Sequence, residues 1–418
     1  MTHLLPRPLR TTVPAVVALA GALSVLPGPA QAVARDEALG TYNQSRGTVS
    51  LTGRQYGTTA DDVNAVLVSG GTLGLDDSTV TKSGDTTYLD NSRIYGQNAA
   101  VLAEYGAAIN LTDSEVVTDG TGASGVFVTN DGSALSVTGG RVTTSGSYSN
   151  GADANLGATM SLRDVDLSTT GEQSAAAAAT LADARLTLTG GTATATGPSS
   201  PALASTGTLT ASGTTIDSAD DYAATVDGAN TLTLDQVTAA GAAGGIRAFN
   251  SAGGTPRGPA TVTVRGGSLD TGGGDAFRVD GTHANLTVQD GAAITADGRL
   301  LTVLNGGTAT LTAVGEALTG DVLATGGGDA TVALTGGTTL SGSATGTALT
   351  LDAGSGWNVT ADSAVTALSD PGGISGDTIA NIIGNGHTVT YDPALSANKD
   401  LDGRTYTLRD GGSLRPAS

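Results

Sequence analysis

Three consecutive pieces of sequence decide the architecture: Gly125-Val126-Phe127-Val128, Ala134-Leu135-Ser136-Val137-Thr138 and Gly139-Gly140-Arg141-Val142-Thr143-Thr144. The second alternates apolar and polar residues with a period of two, the signature of a strand with one face buried. The Gly139-Gly140 pair ahead of the third marks a turn, because glycine enters left-handed backbone at little cost. Three short strands and three turns thus fit into about 25 residues. That is one coil of a parallel β-solenoid.

The pattern recurs along the chain. Its opening tetrad returns as Ala100-Val101-Leu102-Ala103, Gly151-Ala152-Asp153-Ala154, Pro201-Ala202-Leu203-Ala204, Gly245-Ile246-Arg247-Ala248 and Asp275-Ala276-Phe277-Arg278, and on to Thr347-Ala348-Leu349-Thr350. Intervals between copies run from 22 to 30 residues and average about 25. A fixed period in the range of ~20–50 residues marks a repeat architecture. Helical arrays need helix formers at a period of 3.6, and here glycine and threonine interrupt every turn. A propeller blade needs four strands in ~40–45 residues and carries aromatic markers. The expected fold is therefore an all-β, single-stranded parallel β-helix with three strands per coil. Ten to thirteen coils at ~4.8 Å give a rod on the order of 50–60 Å long. Residues 33–64 break the repeat and read as an N-terminal cap, 65–370 as the repeats, and 371–418 as the last coil and C-terminal cap. Trp357, the only tryptophan, suits a core plug, with sugar stacking as its functional alternative.

Composition agrees with that architecture. The 418 residues include 63 Gly but only 3 % aromatic and 14 % charged residues, with no Cys. A thiol enzyme, a Cys-ligated zinc site and a disulfide-stapled fold are excluded. The net charge of −20 repels phosphates, so nucleic acid is not an expected partner. Arg7 and Arg10, the apolar residues 13–26 and Ala30-Gln31-Ala32 make a secretory signal over residues 1–32, with cleavage after Ala34 fitting as well. A 14-residue apolar stretch is short of the ~20 needed to span a bilayer. The expectation is a secreted, extracellular protein that can associate with the cell surface, without a transmembrane segment after cleavage, and monomeric.

The coil pattern, together with the run Leu349-Thr350-Leu351-Asp352-Ala353-Gly354-Ser355-Gly356-Trp357-Asn358-Val359-Thr360, resembles the pertactin-like β-helix passengers of bacterial autotransporters and related surface adhesins. The resemblance implies a right-handed helix and an adhesin or protease function. This chain departs from that family in showing no series of ~10-residue alternating strands for a membrane β-barrel.

Residues 83–98 interrupt the coils most strongly and concentrate Asp85, Tyr88, Asp90, Arg93 and Tyr95 in one long loop. Loops on a rigid scaffold commonly carry binding residues. Tyrosine stacks on sugar faces, and Asp bonds their hydroxyls. The competing reading folds Tyr88 and Tyr95 back over the rod, with Arg93 paired to Asp90. A second excursion spans residues 250–259. Carboxylates for a polysaccharide lyase or glycoside hydrolase, the alternative function, are Asp76 with Asp77, Asp85 with Asp90, Asp153, and Asp220 with Asp221. Two histidines remain beyond the leader, too few for a histidine metal site. No cofactor is expected, and calcium has no motif behind it. Thr-x-Thr segments such as Thr192-Ala193-Thr194 and Thr308-Ala309-Thr310 suggest a water-ordering surface, but the pairs do not recur at one place in every coil. The favoured reading is a non-enzymatic adhesin or structural surface rod that binds carbohydrate or cell envelope.

Overall fold

The computed structural model describes residues 38–255 and 257–417. Residues 1–32, read from the sequence as a secretory signal, lie outside them. The chain is an all-β parallel solenoid of about 15 turns with a coil spacing of about 25 residues.

Each coil contributes three strands, and each strand hydrogen-bonds in parallel to its counterpart one coil away. Val126–Thr129 pairs with Ala152–Asn155, Ala134–Thr138 with Thr159–Arg163, and Arg141–Thr144 with Asp166–Thr169. The opening tetrad, the alternating segment and the segment after the Gly-Gly turn are thus the first, second and third strands. Val126, Val128, Leu135, Val137 and Val142 point inward and are buried. Backbone ladders satisfy the polar main chain, so small apolar residues suffice for the narrow core. The turn between second and third strands needs left-handed backbone. Its column carries Asp77, Asp113, Gly139, Asp164 and Gly190, residue types that tolerate it.

A corner of the rod is stitched by hydroxyls. Thr144 Oγ1 donates to the Ser149 carbonyl, and Thr169 Oγ1 to that of Ser174, each at 2.8 Å. Ser149 N–H donates to Ser174 Oγ, and Ser174 N–H to Ser200 Oγ, one coil further on. Lys82 takes the threonine place near the start of the rod. It is 2 % exposed and donates to the carbonyls of Ala60 at 2.9 Å and Gly84 at 2.6 Å. Burial draws its pKa down to about 8, against the upward pull of Asp61, Asp85, Asp62 and Asp119.

Three expectations change. Leu39–Gln44, Thr48–Thr52 and Gln55–Thr58, inside the stretch read as a cap, form a complete coil in register with the next. Tyr42 and Tyr56, ring centroids 5.2 Å apart, replace the small inward residues there and disguise it. Beyond residue 371 the parallel pairing continues as the expected last coil, Ser363–Ser369 to Thr388–Tyr391. The solenoid therefore has more coils than ten to thirteen. Residues 83–98 are not all loop, since Leu89–Tyr95 is a helix closed by left-handed Gly96 (φ 72°). As expected, threonine pairs do not recur in every coil, yet they share one place over part of the rod. Thr208 and Thr210 pair with Thr231 and Thr233, and these with Thr261 and Thr263. Thr308–Val314 continues the column two coils on, where Thr310 and Thr312 align with Asn285 and Thr287.

The C-terminal end is closed. Tyr406–Arg409 and Ser413–Pro416 pair antiparallel, and Leu401, Tyr391 and Tyr406 are buried beneath them. Tyr391 OH donates to the Arg404 carbonyl at 2.9 Å. Trp357 is 1 % exposed with Nε1 donating to the Gly342 carbonyl, which makes it a core residue and removes it as a sugar-stacking platform. No described helix is long and apolar enough to cross a membrane.

Candidate functional site

Parallel register stacks the middle residue of each first strand into one outward column. It runs Leu67, Leu102, Phe127, Asp153, Ala178, Ala204, Thr225, Arg247, Arg278. The chemistry of the rod's outer wall changes along this line.

The first three members are apolar and lie under the helix Leu89–Tyr95. Leu67, Leu102 and Phe127 form, with Ala99, a small buried cluster separate from the core. The helix carries Asp90 in its first turn and Arg93 in its last, complementary to its dipole. Asn64 Nδ2 donates to the carbonyls of Gly96 and Ala99 at 2.9 and 2.8 Å. Ser92 Oγ donates to the Gly122 carbonyl, and Asn155 Nδ2 to the Arg93 carbonyl at 3.0 Å.

Where the cover ends, the column becomes polar. Asp153 is 2 % exposed. It accepts from Asn150 Nδ2 at 2.8 Å and Thr180 Oγ1 at 2.9 Å. Burial pushes its carboxyl up to about 7, against the lowering by these two bonds and by the charge of Arg93. Ala178 and Ala204 come next and leave a recess of about 80 Å³, room for several waters or the edge of a sugar ring. Residues ahead of the first strands form one wall, with Asn150, Gln173, Ser199, Pro201 and Asp221. Residues at their ends form the other, with Thr180, Thr206, Asp227 and Phe249.

Arg247 lines the same recess, its guanidinium 4.8 Å from the Phe249 ring centroid and Nη2 3.2 Å from Asp280 Oδ2. Its buried Nε has no partner. Burial raises the carboxyls of Asp221 and Asp227, and Arg247 pulls both back. Asp227 accepts from Ser251 N–H at 2.8 Å, which ties the 250–259 excursion to the rim. The recess thus combines small apolar surface with carboxylate, amide, hydroxyl and guanidinium groups, a mixture suited to a polyhydroxylated ligand.

The five residues singled out in the 83–98 segment do not converge. Tyr88 is 61 % exposed just ahead of the helix, and Asp90 is exposed in its first turn. Tyr95, half-buried, ends the helix, while Arg93 acts on Asp153, one strand column away. Asp85 is a staple: its N–H donates to Asp61 Oδ1, and its Oδ1 accepts from Thr121 N–H at 2.7 Å. Asp77 is a turn residue and Asp220 accepts from Ser199 N–H, so neither adjacent carboxylate pair makes a site. Asp221 does line the groove, and Asp153 sits behind it, bonded to the lining residues Asn150 and Thr180. Arg247, Asp227, Asn150 and Thr180 were not singled out. The available signal was a charged residue in the middle of an otherwise small or apolar tetrad, at Asp153 and Arg247.

Among the described residues no group of three His, Cys, Asp or Glu side chains is placed to hold a metal. The chain matches no family model and no curated protein, so its likeness to pertactin-like passengers rests on the coil pattern alone.

Proposed function

We propose that this chain is a secreted, non-enzymatic binding rod that seats a carbohydrate chain in the groove over Ala178 and Ala204. One observation carries this reading: at successive coils the outward column drops from Phe127 to a buried, hydrogen-bonded acid, two alanines, a threonine and an arginine. An outer wall under no demand but solubility has no reason to sink an acid and a guanidinium into a recess. Carboxylate spacing supports binding over glycoside cleavage. Asp153 aligns through Ala178 and Ala204 with Thr225, three coils and about 14 Å away, and Asp227 lies two residues beyond Thr225; Asp221 and Asp227 stand at the two ends of the strand Tyr222–Asp227, roughly 20 Å apart along it. Glycosidase pairs need about 5–9.5 Å.

The test is a glycan array followed by titration of the best binder against wild type and Ala204→Trp, which fills the recess. A loss of about tenfold or more in affinity with an unchanged melting midpoint supports the reading; equal binding by both proteins overturns it. New reducing ends from a polysaccharide panel, lost in Asp153→Asn, would replace it with the enzyme reading.

The second-strand face favours another reading. Its in-register threonines stand about 4.8 Å apart between coils and about 6.7 Å apart along a strand, a flat hydroxyl-and-methyl lattice suited to ordered water. Arg185 and Asn285 interrupt it. Inhibition of ice recrystallisation, lost in Thr233→Lys, would promote this reading over the groove.

A further inference from the structure

The corner between first and second strands changes length along the rod. Four residues, 181–184, connect Ala177–Thr180 to Arg185–Thr189. Two connect Leu203–Ser205 to Thr208–Ser212, and three connect Tyr222–Asp227 to Thr231–Asp235. In the next coil ten residues, 250–259, separate Gly244–Phe249 from Ala260–Arg265. Coils stack in register, so short connectors between longer ones leave a notch. The notch is a cleft of about 620 Å³. Leu181 and Ala182 line it from one long connector, Asn250 and Thr255 from the other, and Ala229 and Asn230 from the short ones between.

Both walls are held in place. Leu181, Ala182 and Asp183 are all in left-handed backbone (φ 59°, 47° and 62°), a conformation that residues with a Cβ resist and that persists where the surroundings enforce it. On the facing wall Asp227 accepts from Ser251 N–H on one carboxylate oxygen and from Ser251 Oγ on the other. Asn250 Nδ2 donates to the Gly254 carbonyl at 3.2 Å and closes the turn.

The cleft adjoins the groove, since Thr206 and Asp227 line both. Size separates their roles. The recess over Ala178 and Ala204, at about 80 Å³, is smaller than the ~300–1,000 Å³ of sites that enclose a whole ligand. The cleft falls inside that range. We propose that the cleft is a second glycan subsite that holds the body of a neutral oligosaccharide while one end of it reaches the recess. The proposal rests on the groove binding carbohydrate, and it makes the rod a binder of sugar chains over single sugars. Asn230 and Thr255 offer amide and hydroxyl groups to sugar hydroxyls, and Leu181 and Ala229 offer apolar surface to ring CH groups. The charges of the joint lining balance, Asp221 and Asp227 against Arg247 and Arg257. The chain's net charge of −20 repels carboxylated or sulfated glycans.

Cello-, manno- and chito-oligosaccharides of two to six units, with oligogalacturonides as the acidic comparison, are titrated against wild type, Ala204→Trp and Ala229→Trp. Ala229 is exposed, so its replacement fills the cleft without entering the core; melting midpoints check each variant. Wild type is expected to bind a neutral series with affinity rising about tenfold or more from the shortest to the longest member. Ala229→Trp removes that rise, whereas Ala204→Trp lowers affinity at every length. Affinity independent of length, or the same rise in Ala229→Trp as in wild type, overturns the second subsite and leaves the groove reading intact. Oligogalacturonides bound more tightly than every neutral series overturn its neutral ligand. Silence from all four series overturns the proposal, and the groove reading then stands or falls on the glycan array alone.

Discussion

The first-strand and second-strand faces are built on the same ladders, yet their outer walls diverge. Inward, both are lined by closed-packed Val, Leu and Ala. Outward, the second-strand face stays flat and repeats threonine, while the first-strand face goes from a helix-covered apolar patch to a recessed acid, bare alanine and arginine within a few coils. The ladders fix backbone and core but leave every other side chain free. Irregularity outside a regular core therefore marks where something other than folding has acted on the sequence.

The contrast breaks or sharpens first at Phe127. It points away from the core, yet is fully buried beneath the helix. Phe127→Ala should cost about 3–5 kcal/mol in denaturant melts, as for a core aromatic, and expose the amides of residues 89–95 to hydrogen exchange. A loss under about 1 kcal/mol would make the cover ornamental.

Asp153 comes second. Its carboxyl titrates near 7 in the folded rod and near the ordinary carboxylate value when unfolded. Between those values the folded state holds a proton that the unfolded chain has released, so stability falls as pH rises. The slope approaches about 1.4 kcal/mol per pH unit. Denaturant midpoints between pH 4 and pH 8 should show the decline in wild type and lose most of it in Asp153→Asn. A parallel decline in both would assign it to other acids.

Gly96→Ala is a smaller disturbance. Left-handed alanine costs roughly 1–2 kcal/mol, and its methyl meets Phe127 and Leu102. Exchange should accelerate in the helix and remain unchanged on the second-strand face. Least of all, Thr233→Ala should stay within about 0.5 kcal/mol of wild type and leave glycan binding in the groove untouched. A larger effect would show that the flat face is held by more than its ladders.

Much of this was legible in sequence. Gly125-Val126-Phe127-Val128 and the segments after it carry strand alternation and turn glycines locally, so coil number per residue follows from counting. The site resisted because its members become neighbours only through register. Asp153, Ala178, Ala204 and Arg247 are separated by turns of unequal length, and the same variation hid the threonine pairs. The helix Leu89–Tyr95 is too short to show a 3.6-residue period, and its contacts come from Asn64 and Asn155 in other coils. Asp90 and Tyr88, conspicuous in the sequence, are exposed on its far side.

The two ends of the rod differ as well. In the first coil Tyr42, Val49, Leu51 and Tyr56 are only partly buried, whereas Trp357, Tyr391 and Tyr406 seal the last. Solenoids nucleate wherever local coils are strongest and then propagate. A rod sealed this way is expected to begin refolding among the coils nearest Trp357 and to add the Tyr42–Tyr56 coil last.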